Sequence, residues 1–127
     1  MKIGSSNKDQ GIFVFQSDQN NYIKFCPERG GVITNWVSEG KEILYFDETR
    51  FMDKTQSIRG GIPILFPICG NLNTSNSVFG KDFLQLNQHG FARELRWQYS
   101  FNENEKSLCL FLNESQTTKN IILLILS

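Results

Sequence analysis

Histidine is almost missing from this chain, with one residue, His89, in 127. One imidazole and no CxxC pair cannot complete a Cys/His zinc site, so no metal is expected. Cysteine is scarce too. Cys26, Cys69 and Cys109 are far apart and odd in number, the usage of buried, reduced thiols in a cytoplasmic protein. Net charge is also lacking, because 13 Lys and Arg stand against 13 Asp and Glu with no basic run. Nucleic acid and anionic membrane are therefore poor partners. No apolar run reaches bilayer length, and the longest, Ile121 to Leu126, is far too short. The start, Met1 to Asn7, lacks the apolar centre of a signal peptide. A sustained 3.6-residue apolar period is absent as well, which argues against helical bundles and favours an all-β fold.

What the chain does have is phenylalanine, 11 residues, in short segments of strand type. Its length suits one domain with a core, residues 1–127. Residues 1–10 read as a loose lead-in. Ile12–Phe15 and Tyr22–Phe25 flank a turn signal at 17–21 and predict a hairpin. Val32–Val37 is predicted to pair with Ile43–Phe46 across Glu39-Gly40-Lys41. Asp47–Gln56, with Arg50 and Asp53, reads as a solvated loop, and Asn71–Ser77 as a surface insert. Leu95, Trp97, Tyr99 and Phe101 alternate with Arg96, Gln98 and Ser100, the clearest two-residue period in the chain. This strand is expected to pair with Ser107–Leu112 as an antiparallel hairpin buried on one face.

The stretch from Ser57 to Arg93 organises the rest. It begins Ser57-Ile58-Arg59-Gly60-Gly61-Ile62-Pro63-Ile64-Leu65-Phe66-Pro67 and ends Gln88-His89-Gly90-Phe91-Ala92-Arg93. Glycine lets the backbone approach a ligand closely, and proline fixes φ. Loops of this kind on a rigid scaffold often carry sites. Taken singly, the residues have plainer readings. Gly60-Gly61 can be a turn, a lone histidine is often structural, and Arg59 and Arg93 can be surface residues paired with Asp53 or Glu94. The two halves together resemble the aldose 1-epimerase, or galactose mutarotase-like, superfamily, and within it the hexose-6-phosphate mutarotases, also called glucose-6-phosphate 1-epimerases. Outside the two motifs the similarity is one of layout, over roughly residues 10–117.

The resemblance implies an antiparallel β-sandwich of the galactose mutarotase-like type, present as its N-terminal half. It implies interconversion of the α and β anomers of a hexose 6-phosphate, without cofactor. A base takes the proton of the anomeric hydroxyl, an acid protonates the ring oxygen, and the opened ring closes on the other face. Arg59, Gln88, His89 and Arg93 match substrate-binding positions and are expected to meet at one cleft. The family's catalytic His and Glu match nothing here and are expected beyond Ser127, so no catalytic residue is assigned. The tail 118–127 departs from the family pattern. A frameshift or a separately encoded C-terminal half would account for that. The alternatives are a sugar-phosphate binder that has lost the acid and base, and a degenerate fragment without activity.

Overall fold

Alternating side chains along β-branched and aromatic segments build two sheets. The computed structural model describes residues 2–7, 11–71, 86–116, 118 and 119. β1 (Lys2–Asn7), β2 (Ile12–Asp18), β3 (Asn21–Cys26), β4 (Val32–Ser38) and β5 (Lys41–Glu42) form one antiparallel sheet in chain order. β6 (Gln98–Asn102) and β7 (Ser107–Phe111) form a second, two-stranded sheet with Tyr99 opposite Leu110 and Phe101 opposite Leu108.

The two-residue period of β2 decides what each sheet face covers. Phe13 and Phe15 point to the second sheet, with ring centroids 5.0 Å from Tyr99 and 5.6 Å from Phe101 respectively. Phe25 of β3 joins them, 5.4 Å from Tyr99 and fully buried. Burying such a ring stabilises the fold by about 1.5–3 kcal/mol. Ile12 points the other way, into a cluster with Cys26, Val32 and Phe51. The fold is thus all-β and sandwich-like, with a short helix, α1 (Glu48–Met52), closing the second cluster through Phe51.

Four expectations need correction. The lead-in is partly ordered, since β1 pairs with β2, Ile3 lying opposite Phe15. As an edge strand it needs little apolar character, so its polar sequence hides it. The loop 47–56 contains α1, whose first turn is capped by the Asp47 carboxylate accepting from Arg50 N–H at 2.9 Å. Ile43–Phe46 is not a strand, and β5 stops at Glu42. The Glu42 carboxylate accepts from the backbone N–H groups of Trp36 at 3.0 Å and Leu44 at 3.3 Å. Its side chain takes the Trp36 donor that a longer β5 would have used, and the bond from Ile43 N–H to Trp36 O at 2.7 Å is the last backbone bond of the pair. Finally, Cys26 alone among the thiols is buried, and burial pushes its pKa up. Cys69 and Cys109 are exposed, the latter opposite Ser100 on the outer face of β7.

The second predicted hairpin forms, but β6 starts at Gln98 and not at Leu95. Leu95 O accepts from Gly30 N–H at 3.0 Å, and Trp97 N–H donates to Pro27 O at 2.8 Å. The approach to β6 is therefore stitched to the 27–30 turn. The insert 72–77 and the tail beyond Lys119 lie outside the described residues.

Asp53 ties the turn after α1. Hydrogen bonds from the Thr55 hydroxyl, the Gln56 side chain and the Thr55 backbone hold its pKa at about 2, below the ordinary 3.8. A depressed carboxylate adds stability that is complete above its unfolded pKa and is lost as pH falls through the folded one. The contribution should therefore fade between about pH 4 and pH 2. Asp53→Asn should flatten the loss of stability in that window, read from urea unfolding midpoints at stepped pH. An unchanged slope would show that the turn does not depend on the ionised Asp53.

Candidate functional site

Two loop segments, 57–61 and 88–94, frame the site, the first continuing into Ile62, which is bonded to β4, and the second bonded to Phe66 and Gly70. Ile33 of β4 and Ile62 exchange hydrogen bonds of 3.1 and 2.8 Å, Gly61 N–H donates to Tyr45 O at 2.8 Å, and Asp47 N–H donates to Arg59 O at 3.0 Å. Gly60 sits at φ +83°, and a Cβ there would lie 2.2 Å from Tyr45 O. Only glycine allows this approach, and it fixes the backbone from which Arg59 projects.

Two other arginines hold the neighbouring turn. Arg29 donates to Phe51 O and to Gln56 O, and its guanidinium lies 4.5 Å from the centre of the Phe51 ring. Arg50 Nε donates to Ser57 O at 2.8 Å. Arg59 differs from both. Among the described residues its guanidinium has no hydrogen bond or ion pair.

The second segment carries Arg93 and His89. Gly30, at φ +71°, passes so close to Arg93 that a Cβ would lie 2.1 Å from Arg93 O. Arg93 Nη2 donates to Gln88 O at 2.9 Å, which steadies the side chain, and among the described residues its other donors are left open. His89 is locked by Gly70 at two points. His89 N–H donates to Gly70 O at 2.8 Å, and Gly70 N–H donates to His89 Nδ1 at 2.7 Å.

Arg59, His89 and Arg93 line one cavity of about 630 Å³, together with Arg29, Lys54, Glu28 and Glu94. Arg59 and Arg93 are 34 positions apart in sequence, so the fold brings them together. Gln88 is not among the described lining residues, and it meets the site through its carbonyl on Arg93. Its backbone carbonyl thus braces Arg93, while its side-chain amide is not among the groups that line the cavity. The proposed ion pairs are absent among the described residues. Asp53 bonds Thr55 and Gln56, and Glu28 is the carboxylate found in a pair here, 3.6 Å from Arg96.

The cavity thus has four cationic side chains against two carboxylates, in a chain of zero net charge. Lys54 and Arg29 escaped the sequence reading. The two glycines after Arg29 were a usable signal of a close approach, whereas nothing in the polar run around Lys54 marks it. Among the described residues no group of three or more His, Cys, Asp or Glu side chains could hold a metal. No helix among them is long and apolar enough to cross a membrane.

No family profile matches the chain. A protein of Cenchrus ciliaris with the provisional name glucose-6-phosphate 1-epimerase is 35% identical over 69 residues, 54% of this chain and 18% of that protein. The crystal structure of the Slr1438 protein from Synechocystis sp. PCC 6803 superposes with a TM-score of 0.68 at 40% identity. The match covers 84% of this chain and 38% of Slr1438. In both comparisons the chain spans well under half of the relative's length.

Proposed function

Because this chain belongs to the mutarotase-like superfamily, we propose that its cavity binds a hexose 6-phosphate and forms the substrate-holding part of an anomer-interconverting site. The observation that carries this reading is the local cationic excess, with Arg59 free of protein partners among the described residues. A guanidinium keeps its charge at any working pH and offers a planar fork suited to phosphoryl oxygens. A neutral sugar gives that charge little to bind. The name of the Cenchrus ciliaris relative supports the same substrate class. The exposed free thiols Cys69 and Cys109 suit a cytoplasmic setting.

Calorimetric titration with glucose 6-phosphate, glucose and inorganic phosphate tests the reading. Glucose 6-phosphate should bind most tightly and glucose most weakly. Equal affinity for glucose and its 6-phosphate would overturn it.

Mutarotation needs an acid and a base across the sugar ring. Within the 127 residues His89 is the single imidazole, and Gly70 already occupies one of its nitrogens. In this reading the acid and base come from a segment outside these residues, in the same polypeptide or a companion one. Each positioned acid or base contributes about 10²–10⁴-fold. The 127-residue chain alone should therefore bind without accelerating anomerisation. The check is relaxation of freshly dissolved α-glucose 6-phosphate followed by NMR, with the spontaneous rate subtracted. Acceleration proportional to protein, and lost in Arg59→Ala, would place a working acid and base within this chain, with Glu28 or Glu94 as the carboxylate.

A further inference from the structure

The bond from Gly70 to His89 settles more than the ring's position. A backbone N–H can only donate, so His89 Nδ1 must present its lone pair at 2.7 Å. In the neutral imidazole the proton is then on Nε2. The second bond, from His89 N–H to Gly70 O at 2.8 Å, keeps the two residues in register. His89 also stands at φ +68°, so the backbone, as well as the ring, is held in a fixed pose.

We propose that Gly70 is a positioning residue that fixes His89 as a hydrogen-bond donor through Nε2, so that the ligand group beside it must be an acceptor. This deepens the sugar-phosphate reading and rests on it for the ligand. His89 then acts with Arg59 and Arg93 as a third donor lining the cavity. It does not serve as the proton-abstracting base, because the nitrogen with a free lone pair faces Gly70. A ligand oxygen, whether of a ring, a hydroxyl or a phosphoryl group, satisfies this donor. An ammonium group in the same place cannot accept from it.

Nitrogen-15 NMR of histidine-labelled protein without ligand tests the tautomer directly. At a pH where the ring is neutral, Nε2 should show the protonated-type resonance and Nδ1 the bare-type one. The opposite pattern overturns the proposal. A pair of variants tests the consequence with glucose 6-phosphate as probe. His89→Gln keeps an amide donor near the Nε2 position but loses the Gly70 contact, so it should bind more weakly than wild type and more tightly than His89→Asn. His89→Asn tolerates positive φ and can keep the Gly70 contact, but it removes that donor. It should bind about two- to tenfold more weakly, the scale of one hydrogen bond. Full affinity in His89→Asn with loss in His89→Gln would make the residue purely structural and refute the donor role. If the wild type failed to bind glucose 6-phosphate, the ligand reading would fall, while the nitrogen resonances would still decide the tautomer.

Discussion

Replacing Gly30 by Ala is expected to cost the fold at least about 2 kcal/mol and to abolish ligand binding with it. Gly30 sits at φ +71°, where an L side chain is strained. Its added Cβ would lie 2.1 Å from Arg93 O and 2.5 Å from Arg93 C and Cα. Those are backbone atoms, so no side-chain rotation relieves the contact. The 93–95 segment must move, and with it go the Gly30 N–H bond to Leu95 O and the placement of Arg93. Urea unfolding gives the stability change and calorimetry gives the affinity. Gly4→Ala is the control. Its Cβ would meet nothing closer than Val14 Cγ1 at 3.8 Å, and its φ is not positive. That control should leave stability unchanged or slightly raised. A Gly30→Ala protein that unfolds like the wild type would refute the close-approach account of this turn.

The second large effect is on binding. Arg59→Ala should weaken glucose 6-phosphate binding by about 1–3 kcal/mol, the scale of a lost charged hydrogen bond. Arg93→Ala should cost a similar amount, with a small stability loss because Arg93 also bonds Gln88 O. Arg59→Lys should rescue only in part, since an ammonium keeps the charge and loses the fork. Raising the ionic strength should weaken wild-type binding more than that of either Ala variant, because the exposed charges are screened. Unchanged affinity in both Ala variants would remove the arginines from the site.

The sequence was most informative where a short-range rule decides the structure. The period-2 run around Tyr99 and Phe101 yields β6 because one face packs on Phe13, Phe15 and Phe25. Gly30, Gly60 and Gly61 mark close backbone crossings that a Cβ would block, while Gly31 faces the Trp97 side chain. Structure was hidden where a tertiary partner overrides local preference. β1 exists because β2 offers it an edge, and its own residues hardly ask for a strand. Ile43–Phe46 has strand chemistry, yet Glu42 takes the Trp36 N–H and the ladder ends. Within the candidate site, Arg59, His89 and Arg93 were legible from their motifs. The bracing use of the Gln88 carbonyl was not, because backbone groups leave no trace in residue type. Lys54 enters the cavity through the turn fixed by Asp53, which is likewise a matter of loop geometry.

Chemical-shift mapping on glucose 6-phosphate titration tests the central claim most directly. The claim is that the cavity between segments 57–61 and 88–94 is a sugar-phosphate site. Saturable shifts should appear at the amides of Arg59, Gly60, His89 and Arg93, and at the Arg59 and Arg93 guanidinium groups. The β6–β7 hairpin should stay silent, and glucose at the same concentration should produce much smaller changes. Shifts confined to other surfaces, or equal shifts with glucose, would contradict it.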